Sequence, residues 1–143
     1  MGQAHVHTEW KEHRHHDAPS LLPGSHDVLV SRTSGGGERG LVLVSTADGR
    51  VTDLNMAGYS GSYSGGRVVF ARPFGMVFSA PFSLRKRAFT GPATLLLQGV
   101  RVVTTTSSEI AVAGNGTLVY MVETARFRTR VRLAPSILTT CAF

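Results

Sequence analysis

Apolar positions along this chain fall in short extended runs and not at helical spacing. Val28–Val30, Leu41–Val44 and Val51–Asn55 predict three strands. Ala47-Asp48-Gly49-Arg50 separates the last two, and an Asp-Gly pair suits a tight hairpin turn that needs positive φ. Gly66–Phe82 reads GRVVFARPFGMVFSAPF, two apolar runs around Pro-Phe-Gly. It predicts a hairpin of Arg67–Ala71 and Met76–Ala80, with Pro81 limiting the second strand or placing it at an edge. Ala93–Gln98 and Val100–Thr106 read as extended, the second because β-branched residues fill most positions. Glu109–Ala113 and Thr117–Val122 flank Gly114-Asn115-Gly116, which predicts another hairpin. Ala125–Leu133 alternates, with Arg126, Arg128, Arg130 and Arg132 on one face and Phe127, Thr129, Val131 and Leu133 on the other. Period-two alternation marks a half-buried strand.

Two stretches break this pattern. Residues 57–66, AGYSGSYSGG, are so rich in Gly and Ser that a loop is predicted. Residues 1–24 are polar and hold His5, His7, His13, His15 and His16 among charged residues. They predict an arm, with a turn or two of helix over Thr8–His16 led by Thr8 as a cap. The organisation expected is an N-terminal arm over 1–24, an all-β domain over 25–135 and a C-terminal tail over 136–143. Turn signals every eight to twelve residues favour a sandwich, barrel or propeller, built from antiparallel strands.

Several motifs carry a family resemblance. They are Phe70-Ala71-Arg72, Val77-Phe78-Ser79-Ala80-Pro81-Phe82, Phe89-Thr90-Gly91-Pro92, Gly99-Val100, and Ala111-Val112 with Asn115-Gly116-Thr117-Leu118-Val119-Tyr120. Together they resemble the TolB-like, WD-repeat-like β-propeller repeats that often follow bacterial serine/threonine kinase domains. The pattern spans roughly residues 27–133. Ser83 stands where the family usually has Asp, and Pro73-Phe74-Gly75 replaces its usual Asp-Gly turn. The resemblance implies antiparallel blades of a partial β-propeller, with a small closed barrel or sandwich as the alternative. A blade takes about 40–45 residues, so a chain of 143 residues is too short to close a ring. It implies a module that meets copies of itself or the rest of a parent propeller, because open blades leave unpaired strand edges.

Charge changes the picture little. The net charge is +6, but residues 1–53 hold five Lys/Arg against seven Asp/Glu, and residues 54–143 hold ten against two. A basic half can meet an acidic partner. Arg126, Arg128, Arg130 and Arg132, with Arg85, Lys86 and Arg87, are the candidates for polyanion or partner contact. Few aromatics interleave with them, which argues against nucleic acid. A solvated face, or charges that guard a strand edge, is the plainer explanation. Cys141 is the single cysteine, so no intrachain disulfide forms and no thiolate zinc site is expected. No apolar run reaches the length of a membrane span, and the first residues lack the apolar core of a signal peptide. A cytoplasmic chain without membrane contact is therefore expected.

Two chemistries remain to weigh. His5, His7, His13, His15, His16 and Asp17 form a metal-ligand candidate, since imidazole and carboxylate suit borderline divalent ions. A polar His-rich arm without a folded frame binds metal only adventitiously, and that is the plainer reading. Gly58-Tyr59-Ser60-Gly61-Ser62 approaches a nucleophile elbow, but its spacing fails at Ser62. The sequence thus favours a non-catalytic binding and assembly module, acting by protein–protein contact and self-association, with no cofactor. The alternative is a small metal-dependent hydrolase of lactonase type. It would draw ligands from the histidines above, His26, Asp27, Asp48, Asp53, Glu109 and Glu123.

Overall fold

The computed structural model describes residues 15–104, 107–122, 128–133 and 138–141, with side chains over 17–102 and 108–122. The first sheet holds β1 (His15–Leu21), β2 (Asp27–Thr33), β3 (Arg39–Ser45) and β4 (Val51–Ala57), in that spatial order. The second holds β5 (Tyr59–Ser64), β6 (Arg67–Arg72) and β7 (Met76–Ser83), with β8 (Ala88–Phe89) and β9 (Thr94–Leu97) both paired to β7. A short ribbon follows, β10 (Val102–Thr104) with β11 (Ser107–Ser108). A further sheet holds β12 (Ile110–Val112), β13 (Thr117–Met121), β14 (Arg128–Leu133) and β15 (Leu138–Cys141). All these pairings are antiparallel. Among the described residues there is no helix, and the sheets close neither into a barrel nor into a propeller ring. The all-β antiparallel class expected from the sequence is therefore observed, and the closed-barrel alternative is not.

Strand alternation explains how the sheets stack. On β6, Val68 and Phe70 face one side and Val69 the other, as the two-residue period requires. Val68 and Phe70 join Ala80 and Phe82 against Leu29, Leu41, Leu43 and Leu54 of the first sheet. Phe70 stacks on Phe78 at 6.1 Å and meets Phe89 edge-on at 6.2 Å, and Phe82 meets Phe89 at 5.2 Å. Each such aromatic pair adds about 0.5–1.5 kcal/mol beyond burial of area. On the opposite side, Val69 and Val77 pack with Val100, Leu118 and Tyr120, so β13 covers that face. The second sheet is thus the middle layer.

Four expectations are corrected. The Gly/Ser-rich stretch over 57–66 is not a loop, since Tyr59–Ser64 forms β5 and pairs with β6. Small residues are what that position needs. A Cβ on Gly61 would lie 2.9 Å from Leu29 Cδ2 and 3.0 Å from Leu41 Cδ2, so β5 lies directly on the apolar face of the first sheet. Gly58 alone separates β4 from β5, and its N–H donates to Arg39 O at 3.3 Å. Ser60 N–H then donates to the buried Ser31 Oγ at 2.8 Å.

The arm boundary also shifts. Residues 15–21 form β1, with Asp17 opposite Ser31 and Leu21 opposite Val28, so His15 and His16 are extended and not helical. Sheet pairing overrides weak local preference here. Pro19, which has no N–H to donate, falls at the register shift between Asp17 and Ser20. Leu138–Cys141, assigned to a tail, forms β15 against β14. Finally, Pro81 does not end its strand, because β7 runs to Ser83. The ladder instead changes partner around it, from β9 at Val77–Ser79 to β8 at Phe82–Ser83.

Candidate functional site

A cleft of about 800 Å³ opens where the β2–β3 turn, the C-terminal half of β4 and the β6–β7 turn meet. β4 reaches it through a bulge. Leu41 pairs with Met56 and Val42 with Asp53, so Leu54 and Asn55 are extra residues. Leu54 turns into the core, and Asn55 adopts φ 52°. Asn55 N–H donates to Asp53 Oδ1 at 2.8 Å, closing the local turn.

Three arginines line the cleft, and each is held differently. Arg32 Nη2 donates to Asp53 Oδ2. The Asn55 N–H and this guanidinium together hold the Asp53 carboxyl below its ordinary value of 3.8. Arg72 Nε donates to Ala57 O at 3.0 Å, and its guanidinium lies 4.4 Å above the Phe78 ring. Arg39 lies 5.3 Å above the Tyr59 ring, and among the described residues its buried Nε has no hydrogen-bond partner. Among the described residues Arg39 forms no ion pair. Tyr59 is itself fixed: its hydroxyl donates to Arg72 O at 3.1 Å and accepts from Ser108 Oγ at 3.3 Å.

Phe74 forms the lip. It sits on the β6–β7 turn at 91% exposure, in the left-handed region at φ 66°. A bulky residue rarely adopts that conformation, and strain of this kind collects at functional positions. Arginine stays charged at all working pH values, so this lining suits recognition of anions and not proton transfer.

The residues singled out from the sequence fall elsewhere. His5, His7 and His13 lie outside the described residues, as do Arg126 and Glu123. His15, His16 and Asp17 lie on β1, at the edge of the first sheet. Among the described residues no group of three His, Cys, Asp or Glu side chains could hold a metal ion. The hydrolase candidates are dispersed instead. His26 is exposed in the β1–β2 turn; Asp48 sits in the β3–β4 turn, accepting from Arg50 N–H at 3.1 Å; Asp53 is paired to Arg32. A hydrogen bond from Ser45 and that from Arg50 N–H hold the Asp48 carboxyl below its ordinary value. Glu109 has a buried Oε2 without a partner among the described residues, and its backbone bonds to Arg101 and Met121.

The basic candidates also divide. Arg85 and Lys86 are exposed on the β7–β8 turn. Arg87 is not available to a polyanion, because its Nη2 donates to the buried Asp27 Oδ1 at 2.7 Å. Arg128, Arg130 and Arg132 lie on β14, opposite Met121, Val119 and Thr117 of β13. That strand has β15 on its other side, so it is not an edge in need of guarding.

No family model, curated protein or solved structure matches the chain. The cleft residues Arg32, Arg39, Arg72 and Phe74 were not singled out as a site by sequence reasoning. Phe74 between Pro73 and Gly75 was the available signal, since a large apolar side chain at a turn tip has no core to enter.

Proposed function

We propose that the chain is a non-catalytic binding and assembly module that works through protein contact and self-association. One observation carries this reading. Leu21, Val28, Val44 and Val51 are ladder partners in succession across the first sheet, so they share one face. Their neighbours Leu29 and Leu43 point to the core with the second sheet, so this row points away from it. Leu21 is 74% exposed and Val51 37% exposed. Val30 and Val42 share this face and are buried, so the row is the exposed end of the face, an apolar strip that a further packed sheet would cover.

The series of stacked antiparallel sheets supports the partial-propeller reading, in which the next blade comes from a second copy or from a parent chain. The one-residue passage at Gly58, between the edges of two sheets, is the feature that reading does not anticipate. The test is mass in solution by light scattering, for the native chain and for Leu21→Glu with Val51→Glu. A multimer that becomes a folded monomer in the double variant is expected. A native chain that is monomeric at its highest soluble concentration would sink self-association.

A further inference from the structure

The cleft beside Arg39 lies at the opposite end of β2, β3 and β4 from the row of Leu21, Val28, Val44 and Val51. It therefore raises a separate question. Two of its three guanidinium groups are committed, Arg32 to Asp53 and Arg72 to Ala57 O and the Phe78 ring. Arg39 is different. Among the described residues it forms no ion pair and its side chain donates no hydrogen bond, and because its Nε is buried beside the Tyr59 ring, only the Nη end of the fork is open to the cleft. An incoming anion that accepts from Nη gains a charge-assisted hydrogen bond that no group of the described fold supplies.

The walls define the rest of the ligand. Met56, Pro73, Phe74 and Val102 give apolar surface, and a volume of about 800 Å³ is within the range of small-molecule sites. Glu38 and Asp53 also line the cleft, so its three guanidinium groups leave a net charge of +1. A monoanion is the better electrostatic match. Phe74, exposed and held at φ 66°, is placed to fold over an apolar body.

We propose that this cleft binds an amphipathic carboxylate, with the carboxylate on Arg39 and the apolar body against Met56, Pro73 and Phe74. The source is a small carboxylic acid and not a peptide, since the edge of β4 that lines the cleft is broken by its bulge at Leu54 and Asn55, and its Ala57 carbonyl already accepts from Arg72.

The experiment is calorimetric titration of the full chain with octanoate, octanol and octyl phosphate, each below its aggregation limit. Octanoate is expected to bind one molecule per chain, and octanol at least about tenfold more weakly, as a lost charge-assisted hydrogen bond requires. Arg39→Gln should weaken octanoate by about tenfold or more and leave octanol unchanged. Phe74→Ser, which removes an exposed side chain that packs into no core, should weaken both. Far-ultraviolet dichroism and thermal midpoint establish that the Arg39 variant is folded. Arg39→Lys provides a second variant that keeps the charge but loses the planar fork, and it should fall between the two. Equal affinity for octanoate and octanol, no binding of either, or binding unaltered in folded Arg39→Gln would overturn the proposal. Tighter binding of octyl phosphate than of octanoate would overturn the choice of a monoanion.

Discussion

Arg87 Nη2 donates to Asp27 Oδ1 at 2.7 Å, joining the β7–β8 turn to the start of β2 across 60 residues of chain. The carboxylate side chain is 11% exposed and the guanidinium 32% exposed, so at the seam between the two sheets the pair is buried on its acidic side and wet on its basic side. Arg87→Ala leaves Asp27 with its charge and without this partner. The expected loss is about 2 kcal/mol in urea denaturation, below the figure for a fully buried pair because water reaches the arginine. Adding Asp27→Asn should recover part of that loss, since the stranded charge is then gone. A loss under about 0.5 kcal/mol for Arg87→Ala would mean that water replaces the partner at little cost.

Gly75 follows Phe74 on the β6–β7 turn at φ 67°, and a Cβ there would run into the backbone oxygen of Val100. Val100 N–H donates to Gly75 O at 3.1 Å, so neither backbone can retreat without breaking that bond. Gly75→Ala is expected to cost about 3 kcal/mol or more, combining left-handed strain with a backbone clash. Gly37 provides the control. It has φ 80° but nothing within 4 Å of its Cβ position, so Gly37→Ala should cost only about 1 kcal/mol. Thermal midpoints of the two variants compare them directly, and equal losses would contradict the close approach at Val100.

Asp53 ties acid sensitivity to the bulge of β4. Its folded carboxyl is held below 3.8 by Asn55 N–H and by Arg32, and the unfolded chain has neither. A depressed folded value means the stabilisation is fully present above the unfolded value and is lost as pH falls through the folded one. Asp53 is 44% exposed and Arg32 25% exposed, so the contribution is under about 1 kcal/mol. Urea midpoints should therefore fall less steeply in Asp53→Asn than in the native chain between about pH 5 and pH 2. Identical slopes would show that the interaction is screened away.

Most strands were legible because their patterns are strong. The Asp48-Gly49 turn, the runs around Pro73-Phe74-Gly75 and the hairpin at Gly114-Asn115-Gly116 stand where periodicity and turn chemistry predict them. β5 was not legible, because its Gly and Ser residues answer to Leu29 and Leu41 on another sheet, and no local pattern records that demand. β1 was hidden for a related reason, since its pairing with β2 is backbone chemistry and leaves its side chains polar. The cleft was less legible still. Arg32, Arg39 and Arg72 are spread over three strands, and only the bulge of β4 and the turn at Phe74 bring them to one place. The visible stripe of arginines on β14 drew attention for its periodicity, which reports strand geometry before it reports binding.

β6 is enclosed on four sides: β5 and β7 bond to its edges, the first sheet covers Val68 and Phe70, and β13 covers Val69. Its backbone can therefore meet solvent only when the layers part. Deuterium should enter the amides of Val68–Ala71 at the rate of global opening, while the exposed edge strand β4 exchanges through smaller local excursions. Exchange followed by mass spectrometry or NMR would give the free energy of the whole domain from those four amides, and the same measurement would locate the order in which the layers come apart.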